Sequence, residues 1–181
     1  MLGDARSLTR ATQPGGDVTP RLLIHTLGYD GFAVLALMRA REAMRRWHVP
    51  GVNRALRMTQ MALYGVEISR DARIGEGVYF LHTSGVVIGG DATIGARTLI
   101  LGNVTIGNLD NRGYPRIGAD VVIGAGARIL GPVNIGDRAR IGANAVVLTD
   151  VPAGATAVGV PAVVRERRDH SPASAAGGAS A

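Results

Sequence analysis

A chain of 181 residues with 26 glycines, 4% aromatic residues and no cysteine has room for one packed domain and a small appendage, but not for a core built on Phe and Trp. The missing cysteines exclude disulfides, thiolate metal sites and a cysteine nucleophile, and a reducing cytoplasm is the easy reading. The net charge of +6 rests on 20 arginines and no lysine, with local clusters at 39–46 and 165–168; without stacking aromatics it fits a phosphate-bearing small ligand better than a nucleic acid.

Residues 1–20 are polar, broken by Pro14-Gly15-Gly16, and read as a weakly ordered lead without the apolar stretch of a signal peptide. The longest apolar run, "GFAVLALM", is too short to cross a bilayer, which needs ~20 residues. Over 21–65, apolar residues recur at three or four. Leu35, Met38, Ala43, Met44 and Trp47 form one group, and Leu56, Met58, Met61 and Leu63 another. This spacing predicts two helices divided near Pro50-Gly51, with both groups as helix core.

From Ile68 the period becomes six. Aliphatic or aromatic residues stand at Ile68, Ile74 and Phe80, then at Ile88, Ile94, Ile100 and Ile106. A third series runs Ile117, Ile123, Ile129, Ile135, Ile141 and Val147. Eight of these thirteen are followed by Gly, and small or β-branched residues such as Ala92, Thr98, Ala127, Ala139 and Ala145 fall four places on. Six matches neither a helix nor a lone alternating strand. It predicts a β-solenoid of triangular coils, three hexads to a coil, about four coils in all. The aliphatics stack inward, and the following Gly is expected to take the tight corner.

Two insertions interrupt the period: two extra residues between Phe80 and Ile88, containing His82, and five extra between Ile106 and Ile117, in "GNLDNRGYPR". Regular coils need no insertions to stack, so function is expected there. After Val147, "TDVPAGATAVGVPAVV" predicts an extended segment folding back along the solenoid; residues 166–181 have the composition of a disordered tail. His25, His48 and His170 lie outside the repeat, and the solenoid has no metal-ligand spacing, so no metal is expected.

Residues 65–164, through "GVEISRDARIGEGVYFLHTSGVVIG", "VVIGAGARILGPVNIGDRARIGANAVVLTDVP" and "AVGVPAVV", resemble the hexapeptide-repeat acyltransferases, specifically the serine O-acetyltransferase branch. The resemblance implies a left-handed parallel β-helix at 66–165, a homotrimer or dimer of trimers, and acetyl-CoA bound between subunits as co-substrate. It implies that His82 is the general base. Glu67, fifteen places earlier, stands where the family pairs an acidic residue with that histidine. A carboxylate on one imidazole nitrogen fixes the tautomer and leaves the other nitrogen to accept a hydroxyl proton. CoA contacts are implied at Gly107, Ala125 and Ala143, with Arg165 near the phosphates.

The chain also departs from that pattern. Family members usually carry Asp before the histidine, where Leu81 stands, and Arg-His-Pro where this chain has Gly113-Tyr114-Pro115. Those residues hold the ammonium and carboxylate of the amino acid, so Leu81, Arg112 and Tyr114 become the acceptor-side candidates. The implied activity is acetyl transfer from acetyl-CoA to a small hydroxyl acceptor, either serine or, alternatively, a sugar, polysaccharide unit or natural product. A zinc-type β-helix lacks its histidines here. The chain ends in Ala181 rather than the Ile with which the branch docks on its sulfhydrylase, so no cysteine synthase complex is expected. Neither a membrane nor a nucleic-acid partner is expected.

Overall fold

The computed structural model of the chain describes residues 30–46 and 51–166. Among the described residues two helices come first, α1 (Asp30–Arg46) and α2 (Val52–Tyr64). Asp30 places a carboxylate in the first turn of α1, where the helix dipole favours it. Gly65 ends α2 in the left-handed conformation, its N–H donating to the Met61 carbonyl. The lead at 1–20, the expected helical stretch at 21–29, Trp47, Pro50 and the tail from 167 lie outside the described residues, as do His25, His48 and His170.

Fifteen short strands follow, and they make three sheets of stacked coils. The first sheet is β1 (Glu67–Ile68), β4 (Val87–Ile88), β7 (Thr105–Gly107), β10 (Arg128–Leu130) and β13 (Val146–Val147). The second holds β2 (Arg73–Ile74), β5 (Thr93–Ile94), β8 (Arg116–Ile117) and β11 (Asn134–Ile135). The third holds β3 (Tyr79–Leu81), β6 (Leu99–Leu101), β9 (Val122–Ile123), β12 (Arg140–Ile141), β14 (Thr156–Val158) and β15 (Val163–Arg165). Every pairing is parallel except β14 with β15, where the chain turns back. The architecture is a left-handed parallel β-helix with an N-terminal helical region.

The hexad phase sets the register. Ile68 pairs with Ile88, Ile88 with Ile106, Ile106 with Ile129, and Ile129 with Val147. Ile74, Ile94, Ile117 and Ile135 stack likewise, as do Phe80, Ile100, Ile123 and Ile141. All thirteen positions are at most 6% exposed, and the small residues four places on, Ala92, Thr98, Ala127, Ala139 and Ala145, are wholly buried. Each coil is therefore held by inward aliphatics and by backbone hydrogen bonds to its neighbours.

The glycine after each aliphatic does something other than turn the corner. Positive φ falls three places after the aliphatic, at Arg97, Asn103, Asp120, Arg138 and Asn144 and at Gly77, Gly126 and Gly154. On the second sheet, and after Ile123 on the third, the glycine directly after the aliphatic is required by close stacking instead. A Cβ on Gly95 would lie 2.4 Å from the Gly118 carbonyl, one on Gly124 2.5 Å from Ala143 N, and one on Gly136 2.4 Å from Ala153 N.

The first coil has no coil beneath it, so its outward carbonyls need partners. Arginines of α1 supply them. Arg39 donates to the carbonyls of Ile74 (3.1 Å) and Gly75 (2.9 Å), and Arg41 donates from both terminal nitrogens to that of Ile68 (3.2 Å). Gly31 lets α1 approach β3, since a Cβ there would stand 2.2 Å from the Phe80 carbonyl oxygen. Leu35 and Met38 join the core as expected. The second helical group does not: Met58 is 53%, Met61 48% and Leu63 68% exposed, and Ala43 is exposed too. The face α2 turns inward carries Gln60, wholly buried, whose Oε1 accepts from Arg41 (3.1 Å). A polar network has displaced the apolar stripe from that contact.

Candidate active site

Each coil passes from the third sheet back to the first across one edge of the prism. His82 stands two places after Phe80 on that edge, Gly102 two after Ile100, Ala125 two after Ile123 and Ala143 two after Ile141. The register thus stacks the four in one column. Gly102 sits against the histidine, for a Cβ on it would lie 2.9 Å from the His82 carbonyl oxygen and 3.3 Å from its Cβ. Sequence reasoning missed Gly102, although counting hexads in threes places it.

The insertion deforms this edge. His82 has φ 63°, two places after its aliphatic rather than three, and it is the one described non-glycine residue to turn left-handed at that position. Such a backbone costs roughly 1–2 kcal/mol for a residue with a Cβ, histidine being among the more tolerant. Around it the bulge is well secured. Gly85 donates to the Gly65 carbonyl (3.0 Å), Asn103 N to that of Ser84 (2.8 Å), and Thr83 is buried. The imidazole itself is exposed and makes no hydrogen bond among the described residues. The left-handed φ and the exposure are shared with the corners at Arg97, Asn103 and Arg138, so what sets His82 apart is its place on the bulge, one residue early, with the imidazole outward.

Glu67 opens β1 and is half-buried, and its Oε1 accepts from Arg57 of α2 at 3.1 Å. Leu81 closes β3 immediately before His82 and is half-buried. Ala125 and Ala143 are exposed on the column, while Gly107 ends β7 on the first sheet. A Cβ on Gly107 would make only ordinary contacts, 3.7 Å from Leu130 Cδ2 and Thr105 Cγ2. Arg165 is exposed at the end of β15, at the far end of the third sheet from β3.

The second insertion lies on a different edge, between β7 of the first sheet and β8 of the second. Tyr114 anchors it: its ring covers Gly89 and Gly90, where a Cβ would approach to 3.1 and 2.0 Å. Asp110 and Asn111 take positive φ, Gly113 has φ 126°, and Arg112 is exposed. Within one chain the structure therefore joins His82 with Ala125 and Ala143, and keeps Arg112 and Tyr114 a full sheet away.

A cavity of about 580 Å³ opens between α2 and the start of the first sheet. Arg41, Arg54, Arg57, Arg70, Glu67 and Ser69 contribute its polar lining. Burial first, and the nearby Arg57 charge second, push the Arg41 guanidinium below its ordinary pKa, with Glu42 opposing. The sequence gives no sign of this cavity beyond the arginine cluster in α1. No group of three His, Cys, Asp or Glu that could hold a metal occurs among the described residues, and no described helix is long and apolar enough to cross a membrane.

Comparison with known proteins places this geometry. The family model described as "Bacterial transferase hexapeptide (six repeats)" matches residues 114–149. Serine acetyltransferase of Helicobacter pylori (strain J99) is 41% identical over 137 residues, which cover 74% of this chain and 80% of that protein. The chain belongs to the serine acetyltransferase family. Another member, from Synechococcus elongatus, is 40% identical over 138 residues, 75% of this chain; there the match spans only 57% of the relative's length. A solved serine acetyltransferase in complex with CoA superposes with a TM-score of 0.79 at 33% identity, over 90% of this chain and 66% of that one.

Proposed function

We propose that the chain is a CoA-dependent O-acetyltransferase of the serine acetyltransferase kind, moving acetyl from acetyl-CoA to the hydroxyl of a small acceptor. The observation that carries the reading is His82, left-handed and outward on the bulged edge of a solenoid whose family transfers acetyl groups. Its free nitrogen takes the acceptor's hydroxyl proton as the oxygen attacks the thioester carbonyl. The carbon–sulfur bond breaks, and the departing thiolate collects that proton from the imidazolium. Such a base contributes typically 10²–10⁴-fold.

Glu67 is the positioning partner: Arg57 engages its Oε1, which leaves Oε2 to accept from the other imidazole nitrogen. The exposed Arg57 pair is worth ~1 kcal/mol at most and is no obstacle to that arrangement. The small residues above His82 supply a track for the pantetheine arm. Ala143 stands three coils on, about 14 Å at the spacing of paired strands. Ala125, Ala143 and Gly107 offer backbone to the arm, and Arg165 lies at the phosphate end. Arg112 and Tyr114 sit on another edge and complete the acceptor site from a neighbouring copy, so the active form is a homotrimer or dimer of trimers. The enzyme works in the cytoplasm.

Two acceptor classes remain in play. Serine follows the family, whereas a sugar or natural-product hydroxyl is favoured by Leu81 and by Gly113-Tyr114, which remove the charged partners of an amino acid. The test is release of CoA thiol from acetyl-CoA over a panel of serine, sugars and metabolites, run beside His82→Ala. The proposal expects turnover on at least one acceptor and a loss of about 10²–10⁴-fold in the variant. Equal rates for both proteins would remove His82 from the mechanism.

A further inference from the structure

The cavity between α2 and the first sheet is charged beyond what the fold requires. Four guanidiniums line it against one carboxylate, a surplus of three positive charges, and that carboxylate, Glu67, is already held by Arg57. Arg70 has Asp71 at 3.6 Å on the rim. Arg41 is the telling member. It is 4% exposed, yet among the described residues its guanidinium donates only to neutral oxygens: Asn53 Oδ1 (3.1 Å), Gln60 Oε1 and the Ile68 carbonyl. Its charge is offset only without a hydrogen bond, by a Glu42 carboxylate that Arg39 engages, and a cavity beside such a cation is where a counter-anion belongs.

We infer that this cavity is an oxyanion site that takes a phosphate- or sulfate-type group carried by the acceptor. The inference rests on the acetyl-transfer reading only for the word acceptor. A zwitterionic amino acid suits the site poorly, because its ammonium would face four arginines with one carboxylate already engaged. A dianionic ester suits it well: guanidinium forks bind tetrahedral oxyanions bidentately, and the bonds are charge-assisted. Glu67 lies in the same lining, so an ester group held there brings its hydroxyl towards the carboxylate proposed to orient His82.

The test keeps binding separate from turnover. The full chain is titrated with inorganic phosphate and followed by ³¹P line width, for wild type and Arg54→Gln; Arg54 is exposed and lines the cavity, whereas Arg41 also fastens α1 to β1 and is left in place. Thiol release is then measured with matched acceptors, glycerol against glycerol 3-phosphate and glucose against glucose 6-phosphate, with serine alongside. The expected result is saturable phosphate binding weakened about tenfold by Arg54→Gln, the loss of roughly one charge-assisted hydrogen bond. The phosphorylated acceptors should show a KM at least about tenfold below their parents, and the variant should erase that advantage without moving the KM for acetyl-CoA. Phosphate binding that Arg54→Gln abolishes supports the site even if no acceptor in the panel is acetylated; in that case the reaction class is what fails. Turnover of serine or neutral hydroxyls with no phosphate preference, or phosphate binding indifferent to Arg54→Gln, overturns the oxyanion site and leaves the acetyltransferase reading intact.

Discussion

The upper coils and the first coil are made from the same hexad but closed in different ways. Above Ile88 each coil rests on another, and at several corners the tolerance is so narrow that the residue after the aliphatic must lack a Cβ, as at Gly95, Gly124 and Gly136. The first coil rests on α1, through guanidiniums aimed at open carbonyls, and carries both the bulge with His82 and the arginine cavity. Repetition gives rigidity; the place where repetition stops is where side chains are released from stacking. Both proposed sites lie at that end.

The upper coils should break hardest. Gly95→Val drives a branched side chain into the Gly118 backbone, which cannot move without shifting a coil, so a loss of about 3 kcal/mol or more is expected in urea melts. A loss under about 1 kcal/mol would mean that the coils stack more loosely than described. Gly107→Ala sharpens the contrast, since its Cβ would find ordinary room. Stability should stay within about 0.5 kcal/mol. A rise in the KM for acetyl-CoA at unchanged melting would then assign Gly107 to ligand approach, and unchanged kinetics would remove it from the CoA track.

The smallest effect belongs to the ladder of corner charges. Arg97 and Asp120 on neighbouring coils share two hydrogen bonds of 2.7 and 2.6 Å, and these, ahead of the Arg97 and Arg138 charges, hold the Asp120 carboxyl below its ordinary 3.8. A carboxyl whose folded pKa is depressed stabilises fully above its unfolded value, and that contribution is lost as pH falls through the folded one. Asp120→Asn should therefore melt slightly below wild type at pH 7, and the gap should close at pH values below 3.8. A gap that widened in acid would reverse the assignment.

The solenoid was legible because a six-residue period in thirteen aliphatics leaves little else for them to do, and all thirteen are buried. The corner was misassigned to the glycine after each aliphatic because sequence shows that a residue is small, not whether turning or crowding demands it. The α2 contact was illegible for another reason. Hydrophobic spacing pointed Met58, Met61 and Leu63 inward, while the buried Arg41–Gln60 pair, whose worth depends on the open Ile68 carbonyl 27 residues beyond Arg41, took that place. At the site, His82 and its bulge were visible as a broken count. That the second insertion lies on another edge follows from counting hexads in threes.

One comparison within a single variant tests most directly whether the left-handed histidine is kept for chemistry. Glycine accepts φ 63° freely, so His82→Gly should melt no lower than wild type while its rate of thiol release, on whichever acceptor wild type uses, falls at least about a hundredfold. A variant that melts markedly lower yet releases thiol at the wild-type rate would make His82 a packing residue and contradict the account.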